Sequence, residues 1–123
     1  MLSLPLPVRI FLCTEPADMR RSFDGLAMLV REFLGADPLS GHLFVFRNKR
    51  GDRVKLLYWD TDGLAIWYKR LEEGTFRFPA ARGRPGVEIR AADLTMLLDG
   101  VDLGSVKRQK RYRRPETTPP TSN

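Results

Sequence analysis

The stretch HLFVFRNKRGDRVKLLYWDTDGLAIWYKRLEEG, residues 42–74, decides the fold. HLFVFR alternates and is rich in β-formers, so it reads as a strand; NKRGDR, with Gly51, reads as a turn. VKLLYW is a second strand, and the two make a hairpin. The remainder has two periodicities at once. Leu64, Ile66 and Tyr68 alternate as in a strand, whereas Leu64, Trp67 and Leu71 share a helical face, with Asp60 or Asp62 as N-cap and Gly74 beyond the C-terminus. We read residues 64–73 as a short helix.

Outward from this block the pattern is simpler. Toward the N-terminus, Val8–Cys13 is an apolar run that reads as a strand, followed by a Thr14-Glu15-Pro16 turn. DMRRSFDGLAMLVREFLG places Met19, Phe23, Leu26, Val30 and Phe33 on one helical face. Asp18 is the candidate N-cap or first-turn acid and Gly35 the candidate C-terminal glycine. Gly25 within that helix costs about 1 kcal/mol relative to alanine, which predicts a close neighbour. Toward the C-terminus, TFRFP and VEI read as short strands separated by the loop AARGRPG, which carries Arg82 and Arg84. AADLTMLLDG reads as a helix with Leu94, Leu97 and Leu98 inward. These elements imply a small α+β domain over residues 1–104: an antiparallel sheet of three to five strands packed with two or three helices. The 123 residues of the whole chain suit one domain.

Charge is unevenly distributed. The net charge is +6, yet removing the six cations of KRQKRYRR, residues 107–114, leaves 15 Lys+Arg against 15 Asp+Glu. Residues 105–123 form a basic, then polar tail ending PETTPPTSN, with the composition of disorder. Such blocks bind polyanions or simply remain solvated. The candidate phosphate contacts in the tail are Lys107, Arg108, Lys110, Arg111, Arg113 and Arg114, with Tyr112 able to stack. In the 42–74 block they are Arg47, Lys49, Arg50 and Arg53 at the hairpin tip, with Lys69 and Arg70 beyond. If all six tail cations met phosphates, log K would fall by about 5 per tenfold rise in salt.

Both tryptophans and two of the three tyrosines lie at Tyr58, Trp59, Trp67 and Tyr68. Interleaved with Arg and Lys, they have the residue types of a single-strand stacking platform. Beside Leu56, Leu57, Leu64 and Ile66 they read better as core, or as anchors of a protein interface. Asp60-x-Asp62 offers hard oxygen ligands to a divalent metal, the remote reading being a metal-dependent nuclease. No further acids gather nearby in sequence, and a turn or helix cap needs the same residues.

His42 is the only histidine, there is no G-x-S-x-G elbow, and no phosphate-binding glycine motif occurs; ARGRPG has the wrong spacing. No catalytic residue, cofactor, metal or small-molecule substrate is therefore expected. The single cysteine, Cys13, lies in an apolar run and reads as an inert buried thiol. No window approaches the ~18 apolar residues of a membrane span. The apolar N-terminus lacks a basic leader and carries Pro5 and Pro7, so a cytoplasmic protein without a membrane partner is expected.

Several blocks in one order carry a resemblance. PADMRRSFDGLAMLV, the 37–79 segment from Asp37 to Pro79, and ADLTMLLDGVDL together resemble the small accessory proteins encoded by the second open reading frame of insertion sequences of the family numbered sixty-six. That family is often labelled TnpB and is distinct from the RNA-guided nuclease of the same label. The matching positions are Asp18-Met19-Arg20, Phe23-Asp24-Gly25-Leu26, Gly41-His42-Leu43-Phe44, Tyr58-Trp59-Asp60 and Trp67-Tyr68-Lys69-Arg70-Leu71. Phe78-Pro79 departs mildly from a tryptophan-proline pair, and the chain beyond residue 103 lies outside the pattern. The resemblance implies a bacterial, non-catalytic accessory factor for DNA transposition and recombination. Its implied partners are DNA at the element ends, the element's DDE-type transposase, or both. The alternative it leaves open is a protein-interaction module that docks on the transposase without touching DNA.

Overall fold

The computed structural model describes residues 8–100. The expected disorder of the basic tail and its six candidate cations lie outside the described residues. Seven elements follow in order: β1 (Ile10–Cys13), α1 (Phe23–Glu32), β2 (Leu43–Arg47), β3 (Arg53–Asp60), β4 (Gly63–Arg70), β5 (Gly86–Ile89) and α2 (Ala91–Leu98). The architecture is α+β: one five-stranded sheet, in the order β4-β3-β2-β1-β5, with two helices.

The sheet is mixed rather than antiparallel. β1 runs parallel to β2, and every other neighbour pair is antiparallel. A parallel pair needs a crossover, and α1 supplies it between β1 and β2. With a helix in that connection, one sheet face is covered by α1. Cys13, Phe44, Phe46 and Leu57 pack there against Leu26, Ala27 and Val30 of the helix. The other face, with Ile10, Leu12, Leu43, Val45, Val54 and Leu56, packs against Leu94 and Leu97 of α2 and against Leu71 and Phe76. Because both faces are covered, the central strand β2 is apolar at four consecutive positions, Leu43 to Phe46, all fully buried. Each such side chain stabilises the fold by about 1.5–3 kcal/mol.

Residues 64–73 are not a helix. Gly63–Arg70 is the edge strand β4, paired with β3 through eight register positions from Arg53↔Arg70 to Asp60↔Gly63. The helical spacing of Leu64, Trp67 and Leu71 is a by-product of a strand with apolar groups on both faces. Leu64 and Ile66 pack toward α1, whereas Trp67 and Leu71 join the α2 side. Periodicity alone does not separate these cases in a short apolar run. TFRFP is also not a strand. Its phenylalanines do alternate inward, Phe76 being buried and Phe78 half-buried, but no ladder forms. VEI and AADLTMLLDG form β5 and α2 as expected.

The entry to α1 differs from expectation too. The helix begins at Phe23 with Ser22 as N-cap, and Asp18 lies one turn upstream. There its carboxylate accepts hydrogen bonds from the Arg20 side chain and backbone, which hold its pKa at about 2. Phe23 and Phe33 of the expected inward stripe are exposed, and Leu26, Ala27 and Val30 carry the contact. Past the helix end Gly35 takes φ +63°, a left-handed conformation natural to glycine. Gly25 has the close neighbour its position predicted: a Cβ there would stand 3.0 Å from Cβ of Arg21.

What holds the chain entering α1 is Lys55. This β3 residue is only 7 % exposed. Its Nζ donates to the carbonyls of Met19 and Arg21, both at 2.8 Å, and lies 4.7 Å from the Tyr68 ring centroid. A buried ammonium is tolerated only when its donors are satisfied. Hydrogen bonds from charged groups contribute about 1.5–3 kcal/mol. Lys55→Ala should therefore lower the free energy of unfolding by about 2–3 kcal/mol in a urea titration. A change below about 0.5 kcal/mol would remove Lys55 from this role.

Candidate nucleic-acid interface

Antiparallel register gathers a set of cations at one end of the sheet. The β2–β3 turn, the start of β3 and the end of β4 lie together, because Arg47 pairs with Val54 and Arg53 with Arg70. That end carries Arg47, Lys49, Arg50, Arg53, Lys69 and Arg70. The opposite end carries the β3–β4 turn, with Asp60 and Asp62.

The basic turn is braced from within. Gly51, at φ +80°, donates its N–H to the Asn48 carbonyl at 3.1 Å. The Asn48 side chain accepts from Arg53 N–H at 3.0 Å and donates to Asp52 Oδ1 at 2.6 Å. That bond, with the charges of Arg50 and Arg53, holds the Asp52 carboxyl below its usual range. The chain after β4 then returns to the turn: Leu71 N–H donates to the Asp52 carbonyl and Phe76 N–H to the Gly51 carbonyl, both at 2.7 Å. Lys49 and Arg50 project from this brace and are exposed.

The other candidate cations differ in what they touch. Arg47 is half-buried; its Nη2 donates to the Thr14 carbonyl at 2.9 Å, and its guanidinium carbon lies 5.4 Å from the Phe78 ring centroid. It is a bracket between β2, the chain after β1 and the 75–78 segment. Arg53 reaches the Tyr68 hydroxyl at 3.4 Å. Arg70 is ion-paired with Glu72 at 2.9 Å, which raises its pKa. Lys69 is exposed on the α2 side, opposite Val54. Sequence reasoning missed Arg77. The alternation Phe76-Arg77-Phe78 turns it away from the buried rings, and the fold brings it to the β2–β3 turn. There Arg47, Lys49, Arg50 and Arg77 line one cleft of about 160 Å³ together with Phe76 and Phe78.

The four aromatic candidates do not form one platform. Tyr58 and Trp67 are half-buried and pack on the α2-side core. Trp59, opposite Leu64, and Tyr68, opposite Lys55, belong to the α1 side. Of the four, Tyr68 is the one counted among the exposed large side chains, at 47 %. It stands on an edge strand with no further strand paired to it among the described residues.

Asp60 and Asp62 flank Thr61 in the tight β3–β4 turn, and all three are exposed. Among the described residues no group of three or more His, Cys, Asp or Glu could hold a metal ion. His42 stands just before β2 rather than in it; it is half-buried and its Nδ1 accepts from Arg9 N–H at 3.1 Å. Cys13 is buried, and burial pushes its thiol pKa up, away from nucleophilic chemistry. Among the described residues no helix is long and apolar enough to cross a membrane. Thr61 takes φ +55°, a conformation that costs a β-branched residue about 1–2 kcal/mol and that asparagine accepts more readily. Thr61→Asn should therefore raise stability by about 0.5–1 kcal/mol in urea unfolding; a loss of stability would show that the threonine side chain is required there.

Comparison with known proteins identifies the family. The family model described as IS66 Orf2 like protein matches residues 8–108, and the chain belongs to that family. Two uncharacterized proteins of Sinorhizobium fredii are similar to it. One, y4jC, is 41 % identical over 108 residues, which is 88 % of this chain and 91 % of that protein. The other, y4hO, is 41 % identical over 95 residues, 77 % of this chain and 82 % of that protein. No solved structure matches. The family match spans every described element and stops within the basic run that begins at Lys107.

Proposed function

We propose that this protein is a non-catalytic accessory factor for transposition of an insertion sequence, and that it contacts DNA through the basic end of the sheet and the basic tail. One observation carries the reading beyond family membership: six predicted cations and Arg77 meet at one end of a rigid sheet, while the aspartates of the β3–β4 turn lie at the other. A duplex approaching such a charge distribution is drawn to one end and turned away from the other. Among the described residues no group of three or more His, Cys, Asp or Glu that could hold a metal ion accompanies it. Cytoplasmic residence fits a partner that is DNA.

The DNA contact is testable by gel shift on element-end duplex at rising salt. The full chain, a 1–104 truncation and a Lys49→Gln/Arg50→Gln variant are compared. Truncation should make the salt dependence shallower by up to about 5 in log–log slope, and the double variant by about 1–2. Equal and negligible binding by all three proteins contradicts the reading.

A second reading rests on the open β4 edge. Under it the edge and Tyr68 dock on the transposase, with or without DNA. Trp67 is a poor probe of that interface because it packs on the core, whereas Tyr68 is exposed. Tyr68→Ala should weaken co-purification with the transposase about tenfold or more if Tyr68 is an anchor. Undiminished capture in the absence of DNA removes Tyr68 from the interface.

A further inference from the structure

Among the described residues, the cleft between the β2–β3 turn and the 75–78 segment is lined by four cations, Arg47, Lys49, Arg50 and Arg77, and by no carboxylate. The nearest acid of the turn, Asp52, is engaged by Asn48. The ion pairs among the described residues are Arg9–Glu88, Arg20–Asp18, Arg70–Glu72 and Arg90–Asp93, so none of these four cations is neutralised by one. Arg47 also keeps a buried Nε without a hydrogen-bond partner. Like charges gathered around a cleft repel one another and disfavour the folded state. The brace of backbone bonds at Gly51 and Asp52 keeps them together all the same.

We propose that this cleft is a phosphate-binding subsite that holds one tetrahedral phosphate oxyanion between Lys49, Arg50 and Arg77. Arg47, fixed by Thr14 and Phe78, supplies a positive wall that needs no ordering when the anion arrives. Two guanidinium groups present paired N–H donors to phosphate oxygens, and the lysine ammonium adds a point charge. A cleft of about 160 Å³ has room for such an anion with several waters. The phosphate group of a nucleic-acid backbone is the occupant the charge distribution favours. Naming DNA as the source rests on the proposed function; the phosphate chemistry itself does not.

The test is an NMR titration of the full-length chain with inorganic phosphate against chloride at matched ionic strength. It is accompanied by duplex binding at several salt concentrations, for the wild type and for Arg50→Gln/Arg77→Gln. Both substituted side chains are exposed, and a thermal melt checks that the variant folds. Arg77→Lys provides a second, charge-preserving variant. Phosphate should shift the amides of residues 49–52 and 75–78 saturably. The double variant should lose that response at least tenfold, Arg77→Lys should retain part of it, and the duplex salt slope should become shallower by about 1. Saturable phosphate binding without duplex binding by the wild type upholds the subsite and overturns DNA as its source. Duplex binding with an unchanged slope in the double variant, and no phosphate response, overturns the subsite while leaving the DNA contact in place. Equal displacement of phosphate by polyglutamate at matched charge overturns the preference for phosphate.

Discussion

Burial of β2 from both sides is the constraint on which the rest of the structure depends. Four consecutive apolar residues, Leu43 to Phe46, place side chains alternately above and below the sheet, and none reaches solvent. Neither face could be left open. The α1 crossover covers one face, and α2 with the Leu71–Phe76 segment covers the other. The parallel β1–β2 pair follows from the crossover, and β5 completes the β1 side of the sheet.

The same constraint positions the functional end. A central strand fixed by burial fixes where its last residue, Arg47, emerges, and hence where the β2–β3 turn stands. Register then carries Arg53, Lys69 and Arg70 to that turn and sends Asp60 and Asp62 to the far end. Asn48, Gly51 and the returning segment from Leu71 to Phe76 hold the turn in a single arrangement. The backbone that carries these cations needs no ordering when an anion binds, which favours affinity, while the exposed Lys49 and Arg50 side chains still lose rotamer freedom.

Much of this was legible in the residues. The β2–β3 hairpin, the strand before α1 and both helices followed from alternation, helical spacing and turn residues. The parallel pairing was not legible, because nothing local distinguishes a strand that meets its neighbour through a hairpin from one that meets it through a helix. β4 was misread because Leu64, Ile66 and Trp67 are apolar on both faces of an edge strand, which imitates a helical stripe. Asp18 has the residue type of a cap, yet Arg20, two residues on, claims its carboxylate. Among the site candidates, the turn cations were visible from composition. Arg77 was not, since only the fold brings it to residues 47–50. The aromatic cluster of the sequence separated into two faces, because consecutive strand residues point opposite ways.

Lysine footprinting with an amine-reactive reagent, with and without element-end duplex, tests the central claim that a rigid sheet offers its basic end to DNA. The described lysines are Lys49, Lys55 and Lys69. Lys55, buried and doubly bonded, should stay unreactive in both states and so report the fold. Duplex should protect Lys49, with Lys69 protected to a lesser degree. A Lys49 as reactive in the presence of DNA as in its absence, under conditions where the duplex is bound, would contradict the account.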